Sequence, residues 1–138
     1  MNYVDTHAHL DTEEFQQDLP AVIARAGEAS VKTVICPGIT ADSSQAVVRL
    51  AAENPEIFAA VGIQPNHAGE AASADWDRIV ALADKPRVVA VGETGLDRHW
   101  DFTPLDVQKD YFERHLRLAQ DRGLPIIIHC REAEADLL

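Results

Sequence analysis

The stretch VVAV at residues 88–91 is apolar at every position, so a strand built from it would be buried on both of its faces. The run III at residues 126–128 has the same character. Strands of this kind form parallel sheets that helices cover on one side and side chains fill on the other. A β/α barrel and a doubly wound open sheet both meet that description. The two runs therefore predict an α/β fold with a parallel sheet.

Around these runs, short β-branched segments alternate with longer amphipathic ones, which is typical of repeated βα units. The predicted strands are Tyr3–His7, Val31–Cys36, Ile57–Ile63, Val88–Gly92 and Pro125–His129. The first three predicted helices run from Asp11 through Ile23, from Asp42 to Glu53 and from Asp75 to Asp84. The fourth runs towards Arg122, with Thr103 as its N-cap and Pro104 in its first position.

Two absences from the sequence narrow the fold further. No glycine-rich phosphate loop follows the first predicted strand, which favours the barrel over a nucleotide-binding open sheet. No linker or low-complexity tract divides the chain, so one domain is expected. We therefore predict that residues 1–138 form an incomplete TIM-type (β/α) barrel with about five of its eight βα units.

The composition limits the classes of partner. The chain has 138 residues, with 23 acidic against 12 basic side chains and a formal charge of -11. This charge argues against a broadly basic surface that coats nucleic acid, although it leaves room for a local basic channel. No secretory signal is visible and no apolar run reaches the roughly 20 residues of a membrane span, so we expect a cytoplasmic location without a membrane partner. Cys36 and Cys130 are expected to be reduced and buried.

Candidate metal ligands come directly after the predicted strands. His7 and His9 alternate in sequence, so in a strand their imidazoles would share one face and could hold one metal ion. Such a pair alone is a weak signal, because it also occurs in loops and surface strands. Glu93, His129 and Gln64 stand at the ends of three other predicted strands. Barrel enzymes carry their catalytic groups at this end of the strands, and this shared position favours a common site.

The carboxylate of Glu93 lies in sequence between two strands that carry histidines. A carboxylate can bridge two divalent cations, because each oxygen binds one metal and the charge offsets their mutual repulsion. The alternatives are a helix-capping or solvated carboxylate for Glu93 and a core histidine for His129.

Three stretches carry a resemblance to a known family. They are YVDTHAHLD at residues 3–11, VGETGLD at residues 91–97 and PIIIHCREAEAD at residues 125–136. They resemble the TatD-type metal-dependent deoxyribonucleases of the amidohydrolase-like superfamily, and the resemblance covers the whole chain in order. It implies a distorted β/α barrel that holds two divalent cations, with zinc, magnesium and manganese as plausible identities.

The resemblance also implies individual roles. By it, His7 and His9 would bind one cation, Glu93 would bridge both, and His129 would bind the second. Arg131 matches an arginine of the same motif and would neutralise a substrate phosphate, with a surface ion pair as the alternative. The chain would be the N-terminal part of a single metal-dependent hydrolase barrel domain.

The sequence departs from the family pattern in two places. Gln64 stands where the family has a histidine, and a glutamine cannot be a cation at neutral pH, which puts a substrate contact in doubt. His67 is a possible substitute, and Arg98 and His99 are further candidates to face the substrate. Family members also continue through later strands that supply another ligand histidine and an aspartate. Five strands would leave two sheet edges open.

These observations leave three functions open. The first is hydrolysis of phosphodiester bonds in DNA, or in a small phosphoester substrate, by a metal-activated water with Glu93 as the catalytic carboxylate. It needs no organic cofactor and implies no protein partner. The second is another amidohydrolase-type reaction on a lactone, amide or phosphotriester, although those relatives commonly use a modified lysine where Glu93 stands. The third is a catalytically inactive truncated fragment.

Overall fold

The architecture is half of a parallel β/α barrel. The computed structural model describes residues 1–137. Five parallel strands pair in sequence order and curl into a half-barrel. They are β1 (Tyr3–Asp5), β2 (Val31–Pro37), β3 (Ile57–Val61), β4 (Val88–Asp97) and β5 (Ile126–Arg131). This confirms the prediction of an incomplete TIM-type barrel, because consecutive strands lie side by side.

Helices fill the connections between the strands and cover one side of the sheet. They are α1 (Leu19–Glu28), α2 (Ala41–Glu53), α3 (Ser73–Ala83), α4 (Leu105–Arg122) and a final turn α5 (Glu134–Leu137). Two short 3-10 helices at Glu13–Phe15 and Pro65–Glu70 precede α1 and α3. No helix in residues 1–137 combines the length and the apolar character that a membrane crossing requires.

Two apolar clusters fill the space between the sheet and the helices. One cluster packs Val61, Ile63 and Val91 against residues of α3 and α4 such as Ile79 and Leu118. The other packs the strands β2 and β3 against α1 and α2. The apolar runs that predicted a doubly buried sheet thus contribute to a real core on the helical side.

A buried histidine joins the helical layer to the sheet. His115 of α4 accepts a hydrogen bond at Nε2 from the Ile63 amide, at 3.0 Å, while its Nδ1 lies 2.6 Å from the Tyr111 carbonyl. Burial lowers the pKa of His115 to about 4, so the imidazole is neutral at pH 7. This bond fixes the chain immediately before Gln64.

The ends of β1, β3, β4 and β5 were predicted wrongly. β3 ends at Val61 rather than Ile63, and β5 continues past His129 to Arg131. The errors at β1 and β4 both concern metal-ligand candidates. β1 ends at Asp5, so His7 and His9 follow the strand in extended chain, where Asp5 Oδ1 accepts the His7 amide at 3.0 Å. β4 continues to Asp97, so Glu93 lies inside the strand. The pairing of β4 with β5 shifts register between Val91 and Thr94, and this bulge allows the strand to continue beyond its predicted end.

The starts of α1 and α4 also differ from the prediction. α1 begins at Leu19 because Pro20 suits the first helical turn but would break a helix that began at Asp11. Thr103 does not cap α4. Its Oγ1 donates to the Asn66 carbonyl and accepts from the Gly69 amide, both at 3.1 Å, so Pro104 becomes the residue before the helix.

The two cysteines differ in exposure. Cys36 is buried in the core, as expected, and burial raises the pKa of its thiol to about 11. Cys130 is exposed, against expectation. It lies on β5, which pairs with β4 alone in residues 1–137, so no further strand covers it.

Candidate metal centre

The imidazoles of His7 and His9 face each other immediately after β1. Their Nε2 atoms are 3.2 Å apart. His9 Nδ1 lies 3.1 Å from the Pro37 carbonyl at the end of β2, and this contact assigns the proton to Nδ1. The lone pair of His9 Nε2 is then available, an arrangement in which a carbonyl fixes the tautomer of a metal-binding imidazole.

Glu93 completes a cluster of three potential ligand atoms. Its Oε2 lies 3.5 Å from His7 Nε2 and 3.6 Å from His9 Nε2. A tetrahedral zinc ion with bonds of about 2.0–2.1 Å holds its ligand atoms roughly 3.3 Å apart. The observed separations therefore fit one divalent cation bound by two imidazoles and a carboxylate. In residues 1–137 these three side chains are the one group of at least three His, Cys, Asp or Glu that converges in this way.

The other oxygen of Glu93 faces a different histidine. Oε1 lies 2.9 Å from His129 Nδ1 on β5. The carboxylate is 7% exposed, so its orientation is fixed by packing as well as by these contacts. One oxygen of Glu93 thus belongs to the His7 and His9 cluster and the other to His129, which is the arrangement that a bridging carboxylate needs.

Asp97 is a site residue that the sequence analysis missed. It is 2% exposed, and its Oδ2 lies 2.9 Å from His129 Nε2 and accepts from Asn66 Nδ2 at 2.8 Å. The strand was expected to end at Gly92, and Asp97 was named only as the last residue of the stretch VGETGLD, with no role assigned. Its even spacing from Glu93 within a continued strand was the signal that could have identified it.

Charges within the centre keep both carboxylates ionised. Burial raises the pKa of Glu93, but the hydrogen bond with His129 and the charges of His7, His129 and His9 outweigh it, so this pKa lies below its ordinary value. The hydrogen bond with Glu93 raises the pKa of His129, more than burial lowers it, and Asp97 adds to the effect. The pKa of Asp97 is lowered because its hydrogen bonds, foremost from the Trp100 amide, outweigh burial.

The three predicted substrate contacts are placed differently. Gln64 borders the centre, with Nε2 3.5 Å from His129 Nδ1 and Oε1 accepting the Asn66 amide at 2.8 Å. The guanidinium of Arg98 forms two hydrogen bonds with Asp136, at 2.6 and 3.0 Å. Arg131 lies over the ring of Trp100, 5.6 Å from its centroid, and forms no ion pair in residues 1–137.

The two histidines named as further candidates lie apart from the metal ligands. His99 Nδ1 pairs with Glu132 Oε1 at 2.9 Å. His67 lines a separate cavity of about 180 Å³ with Asp42 and Glu70, and none of the metal-ligand candidates borders this cavity.

Comparisons with known proteins identify similar sequences and structures. The family model described as "TatD related DNase" matches residues 4–138. A Bacillus subtilis protein named "Uncharacterized metal-dependent hydrolase YabD" is 39% identical over 97% of this chain and 52% of its own length. The Salmonella typhimurium "3'-5' ssDNA/RNA exonuclease TatD" is 34% identical, also over 97% of this chain and 52% of its own length. The chain therefore spans about half the length of the curated relatives it matches.

Solved structures show the same relationship. The crystal structure of the TatD homologue YJJV from Escherichia coli superposes with a TM-score of 0.92 at 31% identity, over 98% of this chain and 53% of that one. A TatD family hydrolase from Entamoeba histolytica superposes with a TM-score of 0.90 over 99% of this chain and 52% of that one. At 21% identity, this second match supports the fold alone.

Proposed function

Because the chain belongs to the TatD related DNase family, we propose that its metal centre hydrolyses phosphodiester bonds in single-stranded nucleic acid. The observation that carries this proposal is the carboxylate of Glu93, whose Oε2 faces His7 and His9 and whose Oε1 faces His129. Residues 1–138 are then the N-terminal part of a single metal-dependent hydrolase barrel domain. The name of the Salmonella relative, a 3'-5' ssDNA/RNA exonuclease, supports this class of substrate.

We assign two divalent cations to this centre, with zinc, magnesium or manganese as candidates. His7, His9 and Glu93 Oε2 would hold the first, and Glu93 Oε1 with His129 Nδ1 would hold the second. The chain thus offers three ligand atoms to one cation and two to the other. When bound, such cations supply a nucleophilic water near neutral pH and neutralise charge on the phosphate.

The other side chains position these ligands and the substrate. The Pro37 carbonyl orients His9, and Asp97 orients His129 by accepting from its Nε2. Arg131 contributes a positive charge for a phosphate of the substrate. Gln64 offers a hydrogen bond beside His129. Arg98 acts here only if the substrate competes with Asp136 for its guanidinium.

The test separates metal binding from turnover. We expect manganese titrations of the chain, followed by calorimetry, to give two bound ions, and Glu93→Ala to weaken both together because it removes an oxygen from each. Cleavage of an end-labelled single-stranded oligonucleotide in manganese should be lost in the same variant. Glu53→Gln, an exposed carboxylate on α2, is the matched control. Unchanged metal content in Glu93→Ala would overturn the bridging role.

A further inference from the structure

Two exposed aromatic rings stack on each other just after β4. Trp100 is 44% exposed and Phe102 is 63% exposed. Their ring centroids are 5.4 Å apart and their planes differ by only 11°. We call the two stacked rings the aromatic platform. Phe102 is its more exposed ring, because His99 packs edge-on against Trp100, with ring centroids 4.6 Å apart, and Arg131 lies over the Trp100 ring. Contiguous exposed apolar surface of this kind usually marks a binding site.

The platform is tied to the metal centre through Asp97. Oδ1 of Asp97 accepts the backbone amides of His99 and Trp100, at 2.9 and 3.0 Å. Oδ2 of the same carboxylate contacts His129 Nε2 at 2.9 Å. The turn that carries Trp100 is therefore fixed by the side chain that orients a proposed metal ligand.

A positive charge lies beside the platform, on the strand that carries His129. Arg131 is two residues beyond His129 on β5, so both side chains leave the same face of the strand, about 6.6 Å apart along it. The Arg131 guanidinium lies 5.6 Å from the Trp100 ring centroid. Asp136 neutralises the neighbouring Arg98, whereas in residues 1–137 no carboxylate pairs with Arg131.

A nucleotide matches this combination, because it joins an anionic phosphate to a flat base. Bases of unpaired strands stack on aromatic side chains with little regard to sequence, and arginine adds a contact to the phosphate or the ring. We propose that Trp100 and Phe102 form a stacking subsite for one unpaired nucleobase, with Arg131 binding its phosphate. The proposal rests on the proposed function and adds a subsite for the base.

Binding in EDTA tests this subsite without cleavage. The probes are a single-stranded oligothymidylate and an abasic oligonucleotide of equal length, each with a fluorescent label. We expect Trp100→Ala and Phe102→Ala to raise the dissociation constant for the oligothymidylate by about 10- to 100-fold, with little change for the abasic strand. Arg131→Gln should weaken both, and Trp100→Phe should retain most of the affinity. The control is Leu116→Ala, because Leu116 is an exposed apolar residue on α4, outside the platform.

A second measurement does not depend on the folding of the alanine variants. In a Trp76→Phe background Trp100 is the only tryptophan, and its fluorescence should be quenched by the oligothymidylate but not by the abasic strand. Equal affinity for both strands, or unchanged oligothymidylate binding in Trp100→Ala and Phe102→Ala, overturns the subsite and leaves hydrolysis through Glu93 standing. If neither strand binds and no cleavage occurs in manganese, both proposals are overturned.

Discussion

Glu93 is surrounded by the imidazoles that would share its cations. The interactions with His7, His9 and His129 that lower the pKa of Glu93 exist because the ring nitrogens point at its oxygens. A divalent cation beside His129 would replace a proton of that imidazole, whose pKa is raised by Glu93 and Asp97, since only the neutral form of histidine binds metal. Metal binding should therefore release protons. Because the pKa of Glu93 is lowered, its carboxylate is ionised and ready to bind a cation before any metal is present.

Asp97→Asn tests whether Asp97 orients His129. Asparagine retains one oxygen for the backbone amides of His99 and Trp100, but it removes the negative charge beside His129 Nε2. Loss of such a partner typically weakens metal binding by about 10- to 100-fold. We expect calorimetry with manganese to show this loss for the second of the two proposed ions, the one assigned to His129.

The control for this prediction is Asp77→Asn, because Asp77 is an exposed carboxylate on α3. It should leave both binding steps unchanged. An Asp97→Asn variant with the affinity of the parent chain would mean that Asp97 only holds the turn after β4.

The four proposed ligands could be selected from sequence because each follows or interrupts an apolar strand run. The structure brings His7, His9, Glu93 and His129 together, while their roles as ligands stay a prediction. Asp97 could not be selected in the same way. Its place in the centre depends on β4 continuing past Gly92, and that continuation depends on pairing with β5, about 35 residues away in sequence.

The position of Glu93 depends on two glycines of β4. Gly92 and Gly95 have φ angles of +134° and +137°, a region that side chains rarely adopt. A Cβ atom on Gly95 would lie 2.1 Å from the His129 carbonyl oxygen, and one on Gly92 would lie 2.5 Å from that of Ile127. β4 and β5 can approach this closely only because these side chains are absent, and the approach carries Glu93 to His129.

Gly95→Ala should therefore damage stability and the metal centre together. We expect it to lower the free energy of unfolding by about 2–3 kcal/mol, from backbone strain and from separation of the two strands. The measurement is urea denaturation followed by circular dichroism, with manganese binding measured on the folded protein. Metal affinity should fall as well, because His129 is the residue that the new methyl group would displace.

Gly27→Ala is a matched control with the opposite expected sign. Gly27 lies in α1, and a Cβ there would meet no atom within 4 Å. Alanine in a helix is favoured over glycine by about 0.5–1 kcal/mol, so this variant should be more stable and should bind metal normally. Equal effects of the two substitutions would contradict a special role for the β4 glycines.

The order and type of the elements could be predicted from sequence more reliably than their ends. All five strands and the four longer helices were expected in the right order, because apolar periodicity is a local property. The ends of β1, β4 and α1 depended on other features. β4 extends because of its glycine bulge, and α1 starts late because of Pro20. β1 ends at Asp5, whose side chain accepts the His7 amide.

The inner face and both edges of the half-barrel remain open within residues 1–137. β1 and β5 each pair with one neighbour only. Tyr3 and Val4 on β1 are more than half exposed, and a cavity of about 550 Å³ extends from His7 along apolar residues of the inner face such as Ile35, Val89 and Ile127. The solved relatives are about twice as long as the matched region. Unpaired strand edges beside apolar surface favour association with other chains.

The 138-residue chain should therefore self-associate through these edges, and Ile128 offers a way to test it. Ile128 lies on β5 and is 47% exposed. Ile128→Lys places a charge on the edge strand and removes roughly 1–2 kcal/mol of apolar burial from any contact there, about a tenfold rise in the dissociation constant. Sedimentation over a range of concentrations should show a lower average mass. Leu116→Lys, at a position 41% exposed on α4, should leave the mass unchanged. A parent chain that stays monomeric, or an equal effect of both lysines, would show that the open edges do not drive association.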